Sequence, residues 1–81
     1  MTMTDIMMRE INNDLQMEIV WLTKRLEAET EKDRDYYMGC MLRSRYRAEA
    51  KAELIQSLGY TVLYNDEHNE CVGIYPMELD D

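Results

Sequence analysis

The chain has 81 residues, with 17 Asp and Glu against 9 Lys and Arg, and a net charge of −8. That length excludes two independent cores, and 46% apolar with 32% charged residues excludes a disordered, collagenous or membrane-spanning composition. The acidity argues against direct binding to free nucleic acid or to an anionic membrane, both of which it repels.

From Thr4 to about Glu31 the apolar residues Met8, Ile11, Leu15, Ile19, Leu22 and Leu26 recur at spacings of three and four. This predicts an amphipathic helix over about 5–30. Thr4 or Asp5 is expected to cap its first N–H groups, and Lys24 and Arg25 suit its carbonyl end. A helix of that length runs about 40 Å, more than a domain of this size is wide. Part of the stripe Ile11, Leu15, Ile19, Leu22 and Leu26 is therefore expected to meet something else, and a homodimer built on it is the natural candidate.

The stretch from Glu27 to Asp35 is nearly all charged, and Thr30 or Asp33 can cap a new helix there, although no Gly or Pro forces a break. A helical hairpin is the reading adopted; one continuous rod in a coiled-coil dimer is the alternative. Helix formers dominate over about 34–58, where Tyr37, Met41, Ser44, Ala48, Ala52 and Ile55 share a face. Ser44, Ala48 and Ala52 are small enough for another helix to approach closely, and Gly59 supplies the left-handed residue that ends helices.

After Gly59 the period falls to two. Tyr60 to Tyr64 and Cys71 to Tyr75 are aromatic and β-branched runs joined by six polar residues, which predicts a β-hairpin over about 60–75 closed by Pro76. Two strands alone are marginal in water, so one face is expected to lie on the helices. Leu63, Val72 and Ile74 are the expected inward set, leaving Tyr60, Val62, Tyr64, Cys71 and Tyr75 outward; the tail from Met77 to Asp81 is expected to fray. The fold class is α+β: a two-helix hairpin followed by a two-stranded antiparallel β-hairpin packed on the helices, in one small acidic domain over 1–81.

His68, with Asp66, Glu67, Glu70 and Cys71, places several metal-ligand types within six residues. A structural zinc site takes four ligands as two spaced pairs, and an EF-hand takes a twelve-residue loop, so the segment reads as a polar turn with no metal and no cofactor. Cys40 and Cys71 are too few for a disulfide framework and read as reduced thiols; the acids around Cys71 disfavour its thiolate. No serine elbow, phosphate-cradling glycine loop or zinc-protease pair is present, and the expectation is a protein that is not an enzyme. Arg43, Arg45, Arg47 and Lys51 are expected to pair with acids of the first helix or the hairpin. No basic start precedes an apolar run, and no stretch nears the length of a membrane span, so a soluble, cytoplasmic protein is expected.

The charge is unevenly spread, with six acids and no base over 59–81. Carboxylates can meet a basic protein groove as a nucleic-acid backbone does, and tyrosines add rigid contact area at low entropic cost. Tyr60, Tyr64, Tyr75, Asp66, Glu67 and Glu70 are accordingly the expected partner-binding residues. In size, acidity and lack of catalytic motifs the chain resembles the small inhibitors encoded by phages and mobile elements, among them the anti-CRISPR proteins. That resemblance is one of general character. It implies a partner protein with a basic, nucleic-acid-binding surface, which this chain blocks as a nucleic-acid mimic. A structural homodimerisation or adaptor module is the alternative.

Overall fold

A computed structural model describes residues 2–77. The element order is α1 (Met3–Glu27), α2 (Glu31–Ser57), β1 (Tyr60–Tyr64) and β2 (Cys71–Pro76). This is the α+β arrangement the periodicity predicts, and only Ala28, Glu29 and Thr30 separate the helices. The tail over 78–81, expected to fray, lies outside the described residues.

Each helix end has a chemical cause. Thr2, rather than Thr4 or Asp5, caps α1: its hydroxyl accepts from the Asp5 N–H at 3.2 Å while its own N–H donates to the Asp5 carboxylate at 3.2 Å. This reciprocal pair satisfies two otherwise orphaned donors, so the acid expected to be the cap is its third-residue partner. At the inter-helix turn Ala28 takes an extended conformation, and the Thr30 hydroxyl accepts from the Asp33 N–H at 3.1 Å to start α2. The break thus needs neither Gly nor Pro, because an extended residue followed by a side-chain cap is enough. Gly59, at φ +94°, ends α2 in the left-handed region.

The strands pair antiparallel, with Tyr60 opposite Pro76, Val62 opposite Ile74 and Leu63 opposite Gly73. The register then slips, so that Tyr64 faces Cys71 and Val72 is the extra residue of a bulge. β2 lies along α1 and β1 along α2, which seats the sheet across the groove between the helices. The core there comprises Ile11, Leu15, Ala48, Ala52, Ile55, Val62, Cys71 and Ile74, with Met7, Met8, Tyr60 and Tyr64 packed against it. Each large aliphatic residue in that set contributes about 1.5–3 kcal/mol through burial. Ser44, fully buried, and Ala48 and Ala52 beside it keep α2 close to α1, as their size predicts.

The facing of the hairpin differs from expectation. Val62 and Cys71 point inward and Leu63 and Val72 outward, while Tyr60 and Tyr64 turn toward the helices; Ile74 and Tyr75 face as expected. Side chains alternate at a period of two, so a one-residue slip reverses a whole strand. The bulge lets Cys71 and Ile74, an odd number of residues apart, both face the core.

The stripe of α1 is also divided. Ile11 and Leu15 are buried within the chain itself, whereas Ile19, Leu22 and Leu26 lie beyond the sheet and are exposed. The molecule is accordingly long and thin, 56 × 22 × 21 Å. It has the sheet laid over the helix pair at one end and two bare helices at the other.

Candidate docking site on the β-hairpin

The connection between the strands is held rigidly by two asparagines. The Asn65 side-chain oxygen accepts from the Asn69 and Glu70 N–H groups at 3.0 and 3.2 Å, and its amide donates to the Asn69 side chain at 2.6 Å. Asn65 and Glu70 also close a backbone bond at 2.9 Å, and Asn69 donates to the Glu67 carboxylate at 3.0 Å. His68 makes the turn by adopting φ +56° and accepts at its carbonyl from Arg45 at 3.2 Å. Its ring lies 5.8 Å from that of Tyr64. The result is a turn whose carboxylates Asp66, Glu67 and Glu70 are all exposed and held on a fixed frame.

Asn12 anchors the same end of the hairpin to α1. Its amide donates to the Cys71 carbonyl at 3.0 Å, and its oxygen accepts from the Cys71 N–H at 2.6 Å. One side chain therefore does for this residue what a third strand would do. Neither Asn12 nor the Asn65 and Asn69 pair is marked by hydrophobic spacing; only the turn preference of Asn hinted at the second.

Beneath the turn a cleft of about 130 Å³ is lined by Leu15, Arg45, Ala48, Glu49, Tyr64 and His68. Arg45 spans it, pairing with Glu18 at 3.4 Å and Glu49 at 3.5 Å. Further along the helix pair, Lys51 meets Asp14 at 2.8 Å and Glu10 at 3.3 Å, and Arg47 meets Asp14 at 4.0 Å. Of the four bases expected to pair, Arg45, Arg47 and Lys51 meet acids of α1, whereas Arg43 donates to the Cys40 sulfur at 3.4 Å. The hydrogen bond to Asp14 holds the Lys51 ammonium above its usual pKa against the opposing effect of burial. All ion pairs among the described residues lie on the helices, and none reaches Asp66, Glu67 or Glu70.

Burial pushes the Cys71 thiol and the Tyr64 phenol up, and Glu70 adds to the first effect. The cause at Cys71 is chiefly burial and only secondarily the neighbouring acid on which the sequence expectation rested. A thiol held protonated inside a core is a packing group. Among the described residues no three His, Cys, Asp or Glu side chains converge, and no helix is long and apolar enough to cross a membrane.

The outer face of the sheet carries Leu63, Val72 and Tyr75, the last 56% exposed. The Tyr75 ring lies over Gly73, so closely that a Cβ there would come within 2.5 Å of it. Of the three tyrosines expected to form one contact face, the structure leaves only Tyr75 on it; Tyr60 and Tyr64 belong to the inner side. Leu63 and Val72, expected inside, take their places beside the acidic turn. No family model, no curated protein and no solved structure matches this chain.

Proposed function

We propose that this protein is a non-enzymatic binding protein whose β-hairpin occupies a basic surface of a partner protein, as a small nucleic-acid-mimicking inhibitor does. The observation that carries this reading is the pairing of two features on one element. An uncovered apolar and aromatic patch, Leu63, Val72 and Tyr75, adjoins a braced turn whose three carboxylates have no cation opposite them among the described residues. A central apolar contact with a charged rim is the usual anatomy of a protein interface. Here the apolar centre supplies affinity, and the carboxylates steer encounter and set its salt dependence. Arg45, Arg47 and Lys51 are engaged instead by Glu18, Asp14 and Glu10.

The test is position-specific capture followed by kinetics. A photo-crosslinking residue is placed at Leu63 or Tyr75, and in a parallel protein at Lys32, and captured partners from the native host are identified by mass. The sheet positions are expected to capture one basic protein that Lys32 does not. With that protein in hand, the triple variant Asp66→Lys, Glu67→Lys, Glu70→Lys should associate about tenfold or more slowly at low salt. Capture from the helix tip alone, or an association rate indifferent to the reversal, overturns the reading.

A further inference from the structure

The helical hairpin beyond the sheet is built as an interface for a like molecule. On α1 the core stripe continues past Leu15 as Ile19, Leu22 and Leu26, and the last is 77% exposed. On α2 the residues after Arg45 toward the tip are Leu42, Met41 and Met38, at spacings that place them on the same face as Arg45. Both runs start at the hairpin turn: Ile19 adjoins Asn69 and Glu70, and Arg45 adjoins His68. The two helices thus offer one apolar floor on the side where the sheet lies, and the sheet ends before covering it. On the helix seam the tip is held by Trp21 stacked on Tyr37, with ring centres 6.0 Å apart. The apolar floor has no such cover.

Charge selects the occupant. Over 19–45 the chain carries six bases and five acids, a net +1, whereas the remainder of the molecule, with three bases and twelve acids, carries −9. A surface that meets its own copy brings every charge against an identical one related by a two-fold axis, so a strongly acidic face resists self-association and a balanced one does not. A basic partner suits the sheet end; an identical chain suits the balanced end. A second apolar patch, formed by Ile6, Leu54 and Leu58 at the opposite end, is less suitable. It belongs to the part of the chain outside 19–45, whose charges sum to −9, so two copies meeting there would bring like charges together.

We propose that the uncovered face of the helical hairpin, centred on Leu22 and Leu26 of α1 and Leu42 of α2, seats a second copy of this chain and closes a four-helix bundle. The surface differs from a coiled coil along the whole of α1, because Ile11 and Leu15 are already consumed by the chain's own core. It is also independent of the sheet-face reading, since the two surfaces lie on different elements. Each dimer would present two docking hairpins.

Sedimentation of the full chain tests this. Wild-type protein should dimerise reversibly, with a constant that changes little between low and high salt. Leu22→Asp with Leu26→Asp should weaken it by about 30-fold or more, the loss typical of a central apolar contact. Leu26→Asp alone, at a position with little burial to lose, serves as the variant whose helical circular dichroism must stay unchanged. Ile6→Asp with Leu58→Asp should leave the dimer intact. A chain that remains monomeric up to about 0.1 mM, the weak end of specific association, overturns the proposal. So does a dimer that survives the Leu22 and Leu26 changes, or one that dissociates on changing Ile6 and Leu58.

Discussion

The two halves of the helical hairpin start from the same sequence pattern and end differently. Toward the chain ends, Ile11 and Leu15 meet α2 on one flank and the sheet on the other, and both are lost to solvent. Toward the inter-helix turn, Leu22 and Leu26 occupy the same stripe at the same spacing, yet they stay 38% and 77% exposed. Helical periodicity reports which face of a helix is apolar; it does not report what covers that face. The sheet decides that, and here it is only as long as two strands of five and six residues. A stripe of residues that sequence reading treats as one unit is therefore two, with separate energetic consequences.

The sharpest way to expose that division is to make the same substitution in each half. Leu15→Ala removes a side chain that is 3% exposed and leaves a cavity between three elements, so it should cost about 2–5 kcal/mol of stability. Leu26→Ala should fall within about 0.5 kcal/mol of wild type, the range for exposed positions away from special features. Urea denaturation at low protein concentration, where self-association contributes nothing, measures both. Equal losses would mean that the distal half is as well packed as the proximal one.

A smaller effect should come from the bond that fixes where the covered half begins. Asn12→Ala strips the Cys71 N–H and C=O of their common partner, and a buried backbone group left unmatched costs about 1–3 kcal/mol. The loss should appear in denaturation as lowered stability and in amide exchange as faster opening at Cys71 than at Val62 in the middle of the paired strand. If the Cys71 amide keeps its protection, water or a neighbouring group replaces the side chain, and the hairpin is held by packing alone.

Much of the fold is legible in the sequence because it rests on local signals. The helix spacing from Met8 to Leu26, the small face of Ser44, Ala48 and Ala52, the left-handed Gly59 and the polar run from Asn65 to Glu70 each have a cause within a few residues. The candidate site is less legible, because it depends on parity. Tyr60, Tyr64 and Tyr75 look equivalent in an alternating pattern, and one slipped residue at Val72 separates them onto opposite faces. Bulges of this kind leave no fixed signature in composition. Nor does Asn12, whose role comes from a contact 59 residues away in the chain. What was legible at the site was its charge: Asp66, Glu67 and Glu70 stand exposed on the turn where their sequence places them.

The smallest expected effect concerns the outer face of the sheet, where the contrast between covered and uncovered surface recurs on a single strand. Gly73 is buried with the Tyr75 ring lying on it, and an added Cβ would meet that ring at 2.5 Å. Two opposing contributions follow from Gly73→Ala. Removing a glycine from a strand interior gains about 0.5–1 kcal/mol, and displacing the ring loses the contacts it makes with the strand. The atoms that clash are the far end of a side chain that is 56% exposed, so the ring can swing outward and the net change should lie within about 0.5 kcal/mol of zero. In a Tyr75→Ala background the opposing contribution vanishes, and Gly73→Ala should then stabilise by about 0.5 kcal/mol. The difference between the two measurements is the coupling between ring and backbone. A loss above about 2 kcal/mol in the single variant would show instead that the ring is locked in place. Tyr75 would then meet a partner as a fixed part of the sheet surface, and its docking would need no reordering of the side chain.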